Sequence, residues 1–324
     1  MSEFPSSIQS KLNEDTVPVI SVLMPVFNGE NYLKEAVESI LNQTYRDFEF
    51  LVLDDGSTDD SLKILREYAA KDSRIRVIAR ENRGLTFTLN ELLSNARGEF
   101  VARMDADDVS LPGRFDRQVT FLKENPKVVC VGGAYQMIDS EGRYLTTLTP
   151  PATDLEIQQL CLGGHTAINH PVAMMRLAAV KLIGGYDSEH DLVEDLDLWL
   201  RLGEVGELAN PPDVQLKYRL HNKSISEGAG QRQQDAARKA CEYAWRRRNI
   251  TGVFSAHAPW RPSADRASRH AFMLRYGWWA WNSRQRMTAA NYGYQAIKLK
   301  PFSIDGWKLL IVSLLKPLAS GKRG

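Results

Sequence analysis

Between Val19 and Met104, four short apolar runs alternate with segments whose apolar residues recur at helical spacing. This alternation restricts the possible folds more than any single motif does. The run "VISVLMPVF" (Val19 to Phe27) is mostly apolar, with β-branched residues early in it, the pattern of a strand buried on both faces. After it, Leu33, Ala36, Val37, Ile40 and Leu41 recur at three- and four-residue intervals, which predicts a helix. "FEFLVLDD" (Phe48 to Asp55) repeats the strand signal, and "STDDSLKILREYAA" predicts a second helix with Ser57 or Thr58 as its N-cap. "RIRVIA" (Arg74 to Ala79) reads as a third strand, and a helix from about Leu85 to Ala96 leads into a fourth, "EFVARM". Strands separated by helical crossovers form a parallel sheet whose ligands lie beyond the carboxyl ends of the strands. The expected fold class is α/β: a mostly parallel, Rossmann-like sheet flanked by helices, followed by a C-terminal helical extension.

Two acidic clusters fall at those strand ends, Asp54–Asp55 after the second run and Asp105–Asp107–Asp108 after the fourth. Two ionised carboxylates about 4 Å apart repel by roughly 4 kcal/mol at an effective dielectric of about 20, so such a cluster is solvated, changes its pKa or holds a cation. Mg²⁺ and Mn²⁺ accept one or two protein carboxylates and fill their other positions with water and phosphate oxygens, which points to a metal-bound diphosphate. An Asp-rich loop also caps helices, and Ser110, with Pro112 behind it, is placed to start one over "LPGRFDRQVTFLKEN". Taken alone, "DADD" leaves both readings open.

The overall charge of +1 conceals an asymmetry. From Gln231 to Gly324 there are 18 Lys plus Arg against 4 Asp plus Glu, leaving 23 and 36 in the first 230 residues. Six of the seven tryptophans also lie in that basic tail: Trp245, Trp260, Trp278, Trp279, Trp281 and Trp307. These changes place a boundary near residue 230, giving an N-terminal extension (1–18), a body (19–230, divided at 110) and a basic, Trp-rich helical region (231–324). Interleaved tryptophans and cations suit peripheral contact with an anionic membrane, or a helical bundle docked on the acidic body. No nucleic-acid motif accompanies them. Cys130, Cys161 and Cys241 have neither metal nor disulfide spacing and read as reduced thiols. The N-terminal residues lack a basic segment followed by an apolar core, and no run reaches the roughly 18–20 apolar residues of a membrane span, so the expected location is cytoplasmic, with possible association at the inner face of the membrane.

The stretches "SVLMPVFNGENYLKEAVESILNQTYRDFEFLVLDDGSTDDS" and "NRGLTFTLNELLSNARGEFVARMDADDVSLPGRFDRQ" closely resemble the nucleotide-sugar-binding half of the inverting family 2 glycosyltransferases, which have the GT-A fold. The similarity continues through "NHPVAMMRLAAVKLIGGYD", "VEDLDLWLRL" and "YRLHNKSIS", covering roughly Val19 to Ser226. The resemblance implies that Pro25, Phe27 and Asn28 pass beside the base of the donor, with Phe27 packing on it. It implies that Asp55, next to Asp54, accepts a hydrogen bond from the base's imide nitrogen, which favours a UDP- or dTDP-linked sugar. Arg83 and Arg103 match basic residues near the nucleotide, or neutralise a neighbouring acid. Asp105 corresponds to the ribose- or metal-side acid and Asp107 to the principal ligand of Mn²⁺ or Mg²⁺. Asp108 corresponds to a supporting group, and His221 to a residue that reaches the metal or diphosphate in some relatives.

Inverting transfer needs a base to take the proton of the attacking hydroxyl. The resemblance gives that role to Asp195 in "VEDLDLWLRL", with Glu194, His170 and Gly185 on the acceptor side. Helical spacing places Leu192, Leu196, Trp199 and Leu200 on one apolar face of this segment and its acids in the first turn, where they also suit the helix dipole. The expected substrates are a nucleotide-sugar and a polyprenol-linked saccharide acceptor, in the synthesis of a cell-surface polysaccharide. A non-catalytic scaffold and a sugar nucleotidyltransferase are the competing readings. The second lacks a glycine-rich phosphate loop after the first strand.

Overall fold

The structure is a computed structural model that describes residues 17–221, 230–256 and 265–316. The N-terminal extension up to residue 16, Trp260 and the residues of "YRLHNKSIS" beyond His221 lie outside them. Two sheets organise the body. Strands β1 (Ile20–Val26), β2 (Phe48–Asp55), β3 (Ile75–Arg80) and β4 (Phe100–Arg103) pair in parallel in the order β4-β1-β2-β3. Helices α1 (Leu33–Leu41), α2 (Ser61–Ala69) and α3 (Leu85–Asn95) connect them. The apolar faces of α1 and α3 bury Leu33, Ala36, Val37 and Ile40, and Leu89, Leu92 and Leu93, against opposite faces of the sheet. Every residue of β2 is buried, as expected of a central parallel strand.

Two helix starts differ from the sequence reading. The N-cap of α2 is Asp60, because Ser57 instead accepts a hydrogen bond from the Asn28 N–H at 2.9 Å. Helix α4 (Arg114–Glu124) begins after Gly113, while Ser110 belongs to the short strand β5 (Val109–Ser110), paired with β11 (Val214–Leu220). In both cases a tertiary contact claims the serine that local propensity would have used as a cap.

The sheet continues beyond β4 through β9 (Met174–Arg176) to β6 (Val128–Val131) and β10 (Glu207–Ala209). β9 is antiparallel to both β4 and β6. A second sheet is ordered β5-β11-β7-β8, with β7 at Ala134–Asp139 and β8 at Tyr144–Leu148. Helices α5 (Asp154–Leu162), α6 (Leu177–Leu182) and α7 (Glu194–Leu202) pack beside the first sheet, where Leu196, Trp199 and Leu200 of α7 are buried. Leu192, expected on that face, precedes the helix with a φ of 80° and lines a cavity instead.

Helix α8 (Gly230–Arg247) starts at the compositional boundary, and its Ala237, Ala240, Cys241 and Ala244 complete the same core as α7. Cys130, Cys161 and Cys241 are buried free thiols. Helices α9 (Arg266–Asn282), α10 (Arg286–Leu299) and α11 (Ile304–Leu315) form a further unit, in which Phe272, Tyr276, Tyr292 and Leu309 pack with Met137 and Leu145 of the second sheet. Most tail tryptophans thus face protein: Trp278, Trp279 and Trp281 pack against this cluster, and the Trp245 indole donates to the Leu162 carbonyl at 3.1 Å.

Candidate active site

The carboxyl ends of β1, β2 and β4, the start of α7 and the inner face of α9 surround one cavity of about 1150 Å³. A single small ligand occupies a pocket of roughly 300–1,000 Å³, so this space suits more than one. Pro25, Phe27, Asn28, Asp55, Arg103, Asp105, Asp107, His170, Glu194, Asp195 and His221 all line it. Asp54, Arg83 and Gly185 do not. Asp54 points away from it and accepts from the Ser57 N–H at 3.0 Å. The Arg83 guanidinium lies over the exposed Phe87 ring, 5.1 Å from its centre.

Backbone geometry shapes the nucleotide end. The Asn28 side chain accepts from the Thr58 N–H at 2.8 Å, tying the loop after β1 to the loop after β2. Gly56 has φ of 79°, and a Cβ there would stand 2.6 Å from the Asn82 nitrogen, so glycine is required. That close approach lets Asp55 anchor the next loop. One of its oxygens accepts the Arg83 N–H and the other the Gly84 N–H, each at 2.9 Å, and the Arg80 guanidinium pairs with the first. A carboxylate offers about four acceptor directions, so one remains for a ligand donor.

Arg103 is the buried centre of the site. It ends β4, is only 2% exposed, and its guanidinium reaches Asp105 at 2.6 Å. The loop it leads into is held from three sides. Arg114 of α4, completely buried, donates to the carbonyls of Arg103 and Val172 at 2.9 Å each and of Ala173 at 3.2 Å, which fastens the end of β4 to the segment entering β9. Arg219 of β11 donates its backbone N–H to Asp108 and its Nε–H to the Asp107 carbonyl, both at 2.8 Å. The same guanidinium pairs with Glu35 at 2.5 Å and lies over the Tyr32 ring. Two residues on, His221 Nε2 stands 2.7 Å from Asp107 Oδ2. The alternation of a strand puts Arg219 and His221 on one face, and this spacing was the available clue to Arg219, which sequence reasoning passed over. Arg114 had no such clue.

Ligand oxygens of Asp105, Asp107 and Asp108 all lie within 4.8 Å of one another. Hard carboxylate donors this close, on a loop fixed from outside, fit a divalent cation of the Mg²⁺ or Mn²⁺ type.

Asp195 and Glu194 begin α7 on the opposite wall, both partly exposed to the cavity. Asp195 Oδ1 accepts from the Leu196 N–H at 2.7 Å. Burial raises the pKa of each carboxyl above its ordinary range, and for Glu194 the adjacent Asp195 adds to the rise. Arg103 opposes that rise in both, so one buried cation faces both walls. His170 is pushed the other way, well below its usual value, first by burial and then by Arg103. Its Nδ1 lies 3.9 Å from Glu194, but these shifts favour the neutral form of each, and the approach is a packing contact rather than an ion pair. His170 Nε2 and the Tyr186 hydroxyl are 2.7 Å apart. Gly185, behind Tyr186, is placed by Arg201 of α7, which donates to its carbonyl at 2.7 Å.

Between these walls and the C-terminal unit the lining turns aromatic, with Tyr135, Tyr218, Tyr276 and Trp279. The rings of Tyr276 and Trp279 lie 5.6 Å apart. The cavity therefore has a polar, acid-lined floor and one apolar side.

Residues 21–183 match the family described as Glycosyl transferase family 2. The O-antigen biosynthesis glycosyltransferase WbnJ of Escherichia coli is 33% identical over 219 residues, covering 65% of this chain and 83% of the relative. Among solved structures, S. aureus TarS 1-349 in complex with UDP-GlcNAc superposes with a TM-score of 0.52 at 18% identity, covering 91% of this chain and 79% of that one. The mannosyltransferase PcManGT from Pyrobaculum calidifontis, in complex with GDP-Man and Mn²⁺, gives 0.53 at 17% identity, covering 92% and 80%. The fold shared with these two enzymes is GT-A.

Proposed function

Because the chain belongs to glycosyl transferase family 2, we propose that it moves one sugar, with inversion, from a UDP- or dTDP-linked donor to a hydroxyl of a saccharide acceptor. The acceptor is lipid-linked, and the product is part of a cell-surface polysaccharide. The biosynthetic context is drawn from the O-antigen relative. The observation that carries the reading is the opposition, across one cavity, of the Asp105–Asp107 loop and the Asp195 carboxyl, with Arg103 between them.

In this reading the base of the donor lies beside Pro25, Phe27 and Asn28 and gives its imide N–H to the remaining acceptor direction of Asp55. Uracil and thymine carry such an N–H, and cytosine does not. Asp105, Asp107 and His221 would hold a divalent cation, which would supply positive charge to the departing diphosphate. Asp195 takes the proton of the acceptor hydroxyl as its oxygen attacks the anomeric carbon. Its raised pKa makes it a stronger base than an exposed aspartate, closer to the alcohol it must deprotonate. Glu194 and His170 position the acceptor, with Tyr186 holding the His170 ring from behind, and Trp279 with Tyr276 offers it an apolar face.

The test is a thermal-shift panel of UDP, dTDP, GDP and CMP, each with and without Mn²⁺ or Mg²⁺, followed by sugar transfer from the matching donors. A nucleotide at 100 times its Kd stabilises the fold by about 2.7 kcal/mol. Metal-dependent stabilisation by UDP or dTDP is expected. A response to GDP alone would overturn the base assignment, and one indifferent to metal would remove the cation from the site.

A further inference from the structure

Helix α11 carries its large apolar residues on the outside. Its inward positions are Gly306, Leu309 and Ser313, whereas Ile304, Trp307, Ile311, Leu314 and Leu315 are exposed, Ile304 by 81% and Leu315 by 77%. Their successive spacings of three, four, three and one residues gather them on one face. Phe302, in the turn before the helix, is 100% exposed. Small residues explain how the inner side packs: a Cβ on Gly293 of α10 would stand 2.8 Å from the Leu310 nitrogen, and one on Gly306 3.1 Å from Ile297. At these close approaches there is no room for a larger side chain, and Leu309 is the one large residue of α11 that packs inward. A continuous exposed apolar face of this kind marks an interaction surface.

The charge around it selects the partner. From Arg284 to Lys316 the chain carries six Lys or Arg and a single acid, Asp305. Lys300 precedes the helix, Lys308 borders its apolar face, and Arg286 donates to the Ser313 carbonyl at 3.0 Å, setting a cation beside the far end near Lys316. Two copies meeting through this face would bring like charges together, which disfavours self-association. Apolar side chains with a tryptophan among them, bordered by cations, match the boundary between headgroups and acyl chains of an anionic bilayer. Among the described residues no helix is long and apolar enough to cross a membrane, so the contact is a surface one.

We propose that the outer face of α11, with Phe302, inserts into the interfacial layer of an anionic phospholipid membrane. Helix α9 packs against both α10 and α11 and also supplies Tyr276 and Trp279 to the cavity, so docking holds the aromatic side of the cavity close to the bilayer. That last consequence rests on the proposed lipid-linked acceptor. The binding itself does not.

The experiment is co-sedimentation of the full chain with vesicles of phosphatidylcholine alone or mixed with phosphatidylglycerol, at low and high salt. Binding to the mixed vesicles is expected, weaker in salt and at least about tenfold weaker for Trp307→Ser combined with Ile311→Ser. Phe302→Ser and Lys308→Glu give a second, independent pair of changes at exposed positions. Melting temperature and transfer to a soluble saccharide acceptor report fold and activity separately, and both should stay unchanged in these variants. Failure of the parent chain to bind anionic vesicles, or binding that persists in both variants, overturns the proposal. So does a concentration-dependent dimer that the same changes disperse. Loss of transfer with vesicle binding intact would instead count against the functional reading.

Discussion

His221 Nε2 and Asp107 Oδ2 are 2.7 Å apart, so the end of β11 and the acidic loop after β4 meet side chain to side chain. The two groups are partners here, and in the proposed function both would instead ligate a divalent cation. Asp107→Asn is expected to abolish metal-dependent nucleotide binding. His221→Ala should weaken the metal response by about tenfold, because it removes a neutral ligand and keeps the carboxylates. Titration of UDP with and without Mn²⁺ measures both, and undiminished affinity in the Asp107 variant would dismiss it as a ligand.

Asp195→Asn removes the proposed proton acceptor without altering the donor end of the cavity. Donor affinity should hold while kcat drops by about 10²–10⁴. As the proposed base Asp195 must be ionised, so activity is expected to fall as pH drops through its raised pKa. The acid limb of kcat/KM is therefore expected above the ordinary carboxylate range, with apparent values that belong to the Glu194–Asp195 pair. A limb at the usual aspartate position, or near-normal turnover in the variant, would end the assignment.

The same two carboxyls have a cost in stability. Because their folded pKa values are raised, the native state holds more protons than the unfolded chain between the ordinary and the raised values, and stability falls as pH rises through that window. Glu194→Gln should melt roughly 2–4 °C higher than the parent at about pH 8, with the difference vanishing in acid. Scanning calorimetry at both pH values measures it, and equal shifts at both would mean that the effect is not ionisation.

Glu49 behaves oppositely. Burial alone would raise its pKa, but hydrogen bonds from Ser21 Oγ at 2.7 Å and from the Arg97 N–H at 3.0 Å, together with the Arg97 guanidinium, outweigh it and the pKa is lowered. A lowered carboxylate contributes stability above its unfolded pKa and loses it as pH falls through the folded one. Glu49→Gln should destabilise by about 1–3 kcal/mol near neutrality and leave nucleotide affinity intact, since Glu49 sits at the opposite end of β2 from Asp55. Denaturant unfolding across pH tests the sign.

Trp279→Ala should raise the acceptor KM by about tenfold with donor KM unchanged, through loss of apolar contact at the aromatic side of the cavity. Paired KM measurements distinguish this from a general loss of structure, which would move both.

The first half of the sheet was readable in sequence because each element there is long enough to show a period. β2 occupies the expected Phe48–Asp55, and α3 stops one residue short of the expected Ala96. The three-residue β9 has no period to read, and its antiparallel direction depends on residues about 70 positions away. Most of the site residues named from motifs line the cavity, but the motifs did not show how they are held. Arg114 and Arg219 act through backbone carbonyls and a distant loop, which residue type alone does not announce. Asp54 and Asp55 look equivalent in sequence, yet alternation along β2 sends one into the cavity and the other away from it.

The position of β9 also has a temporal side. Residues 174–176 cover the free edge of β4, so a nascent chain has already made the acidic loop at 105–108 well before the strand that seals its neighbour exists. Until then β4 presents unpaired N–H and C=O groups beside three carboxylates, an edge open to wrong partners whose closure waits on a distant segment. Synthesis thus completes the first half of the sheet only when the later segment arrives, and a ribosome stalled between the two would hold a chain with its acidic loop written but not yet framed.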